Sequence, residues 1–300
     1  MSASSTTDLL QPVPSELCRL PPPQSPLGTL QDIDTTTQPI NVIENGHFYE
    51  ESGGKLEYKH TKVIFADGAD IYYVWMNHLF RDDAASLGEL RKDAIFIPTE
   101  EIRPAVPNNV TTAPDPLPSN CYVKYPSLLY HTTGCLTVKN LLLQEALVCE
   151  NFIQSVHVNL AKYYGCVIES GRIAGLCFAR YAKTLDQRVA EPQGFQFDQM
   201  EGWLSGIKQG IDHIHSLGLV HNDINPRNIM FAEDDDDTPV LIDFDSCRGD
   251  REALGDKRGT DGWTPEAGFQ SSIRDNDYFG LEKIREFLSA RVLGAEIIPS

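Results

Sequence analysis

Three polar side chains set in an apolar frame, Asp223, Asn228 and Asp243, have the types and spacing for chemistry on a phosphate ester. Asp223 and Asn228 stand five residues apart in a short loop broken at Pro226, within LVHNDINPRNIMF (219–231). Asp243 ends the apolar run Val240-Leu241-Ile242. A hairpin with a polar turn, Glu233 to Asp237, is expected to join the two pieces. In such a set one carboxylate can orient a hydroxyl and accept its proton. An amide oxygen and a second carboxylate, both hard donors, can hold Mg²⁺ on the phosphates of a nucleotide.

The elements that must position these groups can be read along the chain. Residues 1–40 are rich in Ser, Thr, Pro and Gln and bury too little to offset their ordering entropy, so they read as a disordered tail. Residues 41–120 read as a β-containing extension. Within it, KVIFADGADIYYVWM (62–76) reads as a hairpin about Asp67-Gly68, residues 84–92 as a short helix and Ala94 to Ile97 as a strand. Residues 103–120 carry five prolines and no glycine, an extended and irregular link. Cys121 to Lys124 reads as a short strand, and residues 138–154 carry a helical pattern. Tyr163 to Ile168 and Ile173 to Tyr181 read as two strands about a Gly171-Arg172 turn. In residues 198–217 the apolar positions Met200, Trp203, Leu204, Ile207, Ile211, Ile214 and Leu217 recur at intervals of three and four, an amphipathic helix that Gly218 closes. His213 and His215, about 200° apart on that helix, cannot face one metal.

Composition narrows the class. The net charge of −18 argues against a nucleic-acid or anionic-membrane partner. The seven cysteines are scattered without a C-x-x-C pair, which reads as reduced thiols in an intracellular, cytoplasmic protein. No apolar run approaches the ~18 residues of a membrane span, and no secretory signal opens the chain.

His221-Asn222-Asp223 followed by Asn228 resembles the catalytic loop H-R-D-x-x-x-x-N of protein kinases, and Ile242-Asp243-Phe244-Asp245 resembles their metal-binding D-F-G. The likeness covers about residues 121–293 and is nearest to small fungal kinase-like proteins. It implies an α+β, bilobal protein kinase-like fold. A small β-rich lobe would span residues 121–181, and a mainly helical, truncated lobe residues 182–300. It also implies ATP and Mg²⁺ as cofactors. Asp223 would be the catalytic base, and Asn228 and Asp243 the metal ligands. Lys124 would contact the phosphates and be held by Glu145, which lies 21 residues on; Glu150 is the alternative glutamate, and Lys139 the competing lysine, only six residues before Glu145. Ala179-Arg180-Tyr181 would be the hinge whose backbone meets the adenine edge. His221 would pack behind Phe244, residues 247–266 would be the activation segment, and Asp277 would support the catalytic loop.

The sequence also departs from that family. No G-x-G-x-x-G precedes Lys124, Asn222 replaces the arginine of H-R-D, and Asn225 stands where Ser/Thr kinases carry a lysine. Asp245 replaces the glycine of D-F-G, and the helices beyond Asp277 are few, so a partner could complete the larger lobe. The leading expectation is a phosphotransferase acting on Ser or Thr of a protein substrate. One alternative is a small-molecule kinase of the choline or aminoglycoside type, which also lacks the nearby lysine and takes a small-molecule hydroxyl acceptor. The other is a pseudokinase scaffold.

Overall fold

The computed structural model describes residues 40–81, 84–191, 195–232, 237–255, 257, 259–265 and 270–296. The tail expected over residues 1–40 lies outside the described residues but for Ile40, as does the acidic turn at 233–237 but for Asp237. Contacts divide the chain into two units. One runs to Thr99 and takes in Ser127–Thr133; the other comprises Glu100–Pro126 and the chain from Gly134 onward.

The first unit is an antiparallel sheet of β1 (Asn41–Ser52), β2 (Lys55–Asp67), β3 (Asp70–Met76) and β4 (Ile95–Ile97), in that order. The expected hairpin about Asp67-Gly68 is β2–β3, with Asp67 opposite Asp70 and Gly68 at φ +65°. Arg91, just past α1 (Ala84–Glu89), clasps Asp67 through Nε at 2.6 Å and Nη2 at 2.9 Å. Residues 61–65 of β2 are buried without a break, because both faces of the strand are covered. Val63 and Phe65 join Val74, Met76 and Leu90 in a core on one face. On the other face Lys62 is fully buried. Its ammonium donates to the carbonyls of Leu128, Leu129 and His131 at 3.1, 2.9 and 2.5 Å and lies 4.5 Å from the Tyr73 ring centre. Three acceptors need three N–H donors, which only the charged amine supplies. Burial pushes the Lys62 pKa down to about 8, against the pull of Glu44, so the amine is still charged at neutral pH.

The second unit mixes helix and strand. β5 (Cys121–Lys124), β7 (Arg172–Ala179) and β6 (Tyr163–Glu169) form one antiparallel sheet in the order β5-β7-β6. The helix α3 (Thr137–Gln154) buries Leu142, Ala146, Cys149 and Phe152 in the same core as Leu176 and Phe178 of β7. That core continues through α5 (Phe197–Ser216), which contributes Trp203, Leu204, Ile207, Ile211 and Ile214 at the expected spacing. It closes on Ile284 and Leu288 of α6 (Arg274–Glu296). Gly218, at φ +75°, follows α5 and donates its N–H to the His215 carbonyl at 3.1 Å.

The sequence places a boundary after residue 120, but the proline-rich stretch belongs to the second unit. Thr112 bridges Cys166 in parallel, Ala105 bridges Arg172, and the Arg172 guanidinium donates to the Arg103 carbonyl at 3.0 Å. Gly165, at φ +128°, allows this approach: a Cβ there would lie 2.6 Å from the Ala113 nitrogen. Prolines suit such an edge because they present no unpaired N–H. Ser127–Thr133, past the end of β5, groups instead with the first unit, where Glu44 accepts from the Ser127 hydroxyl at 2.7 Å and the Leu128 N–H at 2.9 Å.

Candidate active site

The loop holding Asp223 is fastened from below by one carboxylate. Asp277, on the first turn of α6 and fully buried, accepts from the Asn222 N–H at 2.7 Å and the His221 N–H at 2.9 Å. The His215 ring donates to the same group at 2.8 Å. Asn222 sits at φ +65°, a conformation asparagine tolerates better than most side chains. Its buried amide donates to the Val220 and Ser246 carbonyls at 3.0 and 3.2 Å, tying the loop to the segment after Asp243. His221 Nε2 faces the Ile242 carbonyl at 3.0 Å and must donate there, which leaves Nδ1 to accept the Asp223 N–H at 3.3 Å. The imidazole packs against Phe244 with ring centres 5.6 Å apart.

Local sequence then sets the two arms. Pro226 opens a single 3-10 turn over Pro226–Asn228, and the Asn225 side chain caps it by accepting the Arg227 N–H at 2.9 Å. The next strand, β10 (Ile229–Phe231), pairs antiparallel with β11 (Val240–Leu241). The pairing brings Asn228 beside the run into Asp243, and its carbonyl accepts the Ile242 N–H at 3.0 Å. Asp243 itself adopts φ +64°.

The Asp223 carboxylate is nearly buried and held by three donors. Asn225 Nδ2 reaches Oδ1 at 2.9 Å, Thr260 N reaches Oδ1 at 2.8 Å, and Asn228 Nδ2 reaches Oδ2 at 3.0 Å. Asn225 also donates to the Thr260 hydroxyl at 3.3 Å. The segment 259–265 can lie this close only because residue 259 is glycine. A Cβ there would meet the Asn222 carbonyl oxygen at 2.4 Å.

An ionic cluster lies alongside. Lys124, the last residue of β5, places its ammonium 2.7 and 2.8 Å from the two oxygens of Glu145 on α3 and 2.6 Å from Asp243. Asp245 lies 3.6 Å from the same ammonium and is also ion-paired to Lys257, whose ammonium is 3.9 Å from Asp243. Glu145 in turn accepts the Phe244 N–H at 3.2 Å. Burial opposes the charge on Lys124, but Glu145, Asp243 and Asp245 outweigh it and hold the lysine well above its ordinary pKa. Burial also opposes the charge on Asp243, and there Lys124 and Lys257 prevail and keep the carboxyl well below its ordinary range. Glu145 goes the other way: burial, more than Lys124 recovers, pushes it up to about 7. Glu145, Asp243 and Asp245 offer oxygens within 4.8 Å of one another. These are hard oxygen donors of the kind that suit Mg²⁺.

The protein kinase domain family matches residues 135–267. The chain carries a domain of the protein kinase-like superfamily. The matched stretch of this kinase-like domain contains Glu145, Asp223, Asn228, Asp243 and Lys257. Lys124 precedes it, and its place in the site rests on its contacts with Glu145 and Asp243. Among curated proteins, the chain is 34% identical over 123 residues to the serine/threonine-protein kinase/endoribonuclease IRE1 of Hypocrea jecorina, covering 36% of this chain and 10% of the relative. It is 41% identical over 51 residues to the serine/threonine-protein kinase D of a Synechocystis species, covering 17% and 10%. To a calcium/calmodulin-dependent serine/threonine-protein kinase of Malus domestica it is 23% identical over 146 residues, covering 47% and 35%. The chain thus spans about a tenth of the length of IRE1 and of kinase D.

The structure brings the residues singled out in the sequence into two adjoining groups: Lys124, Glu145 and Asp243 in one, Asp223 and Asn228 in the other. Glu150, the alternative to Glu145, is engaged elsewhere, accepting from Thr111 N and Oγ1 at 2.8 Å each. Lys139, the competing lysine, is on α3 itself. Arg180 and Tyr181 follow β7. The Tyr181 hydroxyl accepts the Lys162 N–H at 3.0 Å, and the Arg180 N–H goes to the Asn120 carbonyl at 3.3 Å. Sequence reasoning did not single out Lys257. It stands fourteen residues past Asp243 among other basic residues, with no spacing rule to separate it from them. Among the described residues no helix is long and apolar enough to cross a membrane.

Proposed function

We propose that this chain transfers the γ-phosphoryl group of ATP to a serine or threonine hydroxyl of a protein substrate. The observation that carries the proposal is the convergence on Lys124. Glu145 and Asp243, 21 and 119 residues away in sequence, both touch its ammonium. The sheet β5-β7-β6 with α3 serves as the small lobe, and the chain from about residue 182 as the large one. Lys124, oriented by Glu145, binds phosphate oxygens. Asp243 and Asn228 are the ligands for Mg²⁺, which supplies charge stabilisation on the phosphates when bound. Asp223, fixed by Asn225, Asn228 and the Thr260 N–H, orients the acceptor hydroxyl and takes its proton. The backbone about Arg180 and Tyr181 faces the adenine. The six described cysteines are all free, which supports a reducing, intracellular setting.

One observation favours a small-molecule acceptor instead: position 225 is Asn and lacks the lysine of Ser/Thr kinases, a lysine that the choline and aminoglycoside kinases also lack. A single experiment separates the readings. Labelled ATP is offered with a mixture of generic proteins or with amino alcohols and aminoglycosides, and Mg²⁺-ATP binding is followed in parallel by thermal shift. The expected result is phosphoserine or phosphothreonine on protein, reduced by about 10²-fold or more in Asp223→Asn while nucleotide binding persists. The thermal shift should lose its Mg²⁺ dependence in Asp243→Asn. Label appearing only on amino alcohols or sugars would move the assignment to small molecules. No shift and no transfer from wild type would leave a scaffold.

A further inference from the structure

We infer that Lys257 is a second phosphate-positioning cation, standing in for groups that this site lacks. The inference rests on the phosphotransfer reading above and names a residue which that reading does not use. A triphosphate carries several negative charges and needs N–H donors or cations on more than one side. The stretch before Lys124 offers no glycine between residues 103 and 120, so it forms no loop of closely spaced backbone N–H groups there. Asn225 supplies no charge, and its amide is already directed at Asp223 and Thr260.

Lys257 meets both needs. It is ion-paired to Asp245, its ammonium is 3.9 Å from Asp243, and its side chain is 33% exposed, so the cation stands beside Asp243 on a side chain that still reaches solvent. Asp245 joins the two ammoniums, lying 3.6 Å from Lys124 and bonded to Lys257, so the lysines flank the aspartate pair. Three residues beyond Lys257, Thr260 N bonds Asp223. The segment that carries this cation thus also supplies a donor to the Asp223 carboxylate. The aspartate at position 245 takes on a function in this arrangement. It holds Lys257 in the site when no phosphate is present.

The test is calorimetric titration of ATP, ADP and adenosine, with Mg²⁺, into the full chain and into Lys257→Met, Lys257→Arg and Asp243→Asn. A lost charge-assisted contact corresponds to roughly tenfold or more in affinity. Lys257→Met should therefore weaken ATP by that factor, weaken ADP less and leave adenosine unchanged. Lys257→Arg should restore most of the ATP affinity. A Lys257→Met protein that binds ATP like wild type, in a series where Asp243→Asn loses its Mg²⁺ dependence, would overturn the role of Lys257 alone. Equal loss of all three ligands would reduce Lys257 to a structural ion pair and also overturn it. A wild-type chain that binds no nucleotide would remove the phosphotransfer reading and this inference with it.

Discussion

Replacing Asp277 by asparagine tests whether one carboxylate holds the loop at His221–Asp223 in place. The side chain is fully buried and accepts at 2.7 Å from Asn222 N, at 2.9 Å from His221 N and at 2.8 Å from His215. Asparagine has the same shape but one acceptor oxygen. If that oxygen keeps the Asn222 N–H, the new NH₂ faces the His221 N–H, donor against donor. His215 can change tautomer, which moves its proton to the buried Nδ1; a backbone N–H has no such option. The substitution therefore weakens one bond to a charged acceptor and leaves one buried N–H unpaired, at about 1.5–3 kcal/mol each. At the lower end of that range for each, about 3 kcal/mol in total is expected. At roughly 2–4 °C per kcal/mol for a chain of this size, the melting transition should fall by about 6–12 °C. His215→Phe is the control. It removes one donor and leaves both backbone bonds, so it should cost about half as much. Calorimetry with urea denaturation reads both variants. An Asp277→Asn protein melting within about 2 °C of wild type, or a His215→Phe protein equally destabilised, would refute the reasoning.

Two further expectations follow from buried groups outside the ionic cluster. Because burial lowers the Lys62 pKa from 10.5 to about 8, the unfolded chain binds the extra proton between those values, and stability should rise with pH across that window. Measured against Lys62→Met, which removes this titration and no other, the gain should approach about 3 kcal/mol between pH 7.5 and 10.5. A flat difference would mean that the three carbonyls and the Tyr73 ring fully offset the burial. Gly259→Ala would push a methyl to 2.4 Å from the Asn222 carbonyl oxygen, so the segment must lift and Thr260 N must leave Asp223. It should lower stability by about 1–3 kcal/mol and speed proteolysis near residue 259; unchanged proteolysis would argue that the segment tolerates the shift.

How far the sequence could be read depended on how local the determining forces are. The hairpin about Asp67-Gly68, α3 and α5 are set by turn chemistry and apolar spacing within a few residues, and they stand where that spacing puts them. The strand β1 is different. Its sequence, NVIENGHFYEES, is polar and mostly exposed, and its pairing with β2 shifts register twice. Such a strand is specified by its partner and has no pattern of its own to show. The proline-rich stretch reads as extended and irregular, but nothing in it announced that Thr112 and Ala105 would lie along β6 and β7. In the site, residues fixed by short motif spacing were legible, and so was the Lys124–Glu145 pairing across a strand and a helix. Lys257 and the amide work of Asn222 were not, since both depend on contacts made across tertiary structure: Asn222 to Ser246 and Ser272, Lys257 to Asp245.

The chain carries a net charge of −18, yet two lysines meet at one point beside three carboxylates. On the phosphotransfer proposal, that crowding of two lysines with Asp243, Asp245 and a Glu145 pushed up to about 7 bears on how a nucleotide would bind. Lys124 already donates to Glu145 and Asp243, and Lys257 is ion-paired to Asp245, so phosphate oxygens compete with these carboxylates for the same two cations. The exchange leaves Asp243 and Asp245 with excess negative charge in a half-buried site, which is unfavourable unless another cation replaces the lysines. Nucleotide affinity and divalent-cation concentration are then linked through the same two aspartates, and by reciprocity each must raise the affinity for the other. A site built on backbone N–H groups from a glycine loop would show less of this coupling, because those donors are not neutralised in advance. On this argument the departures at positions 225 and 245 belong together: the charge absent at Asn225 is present at Lys257, and Asp245 is the partner that keeps it there.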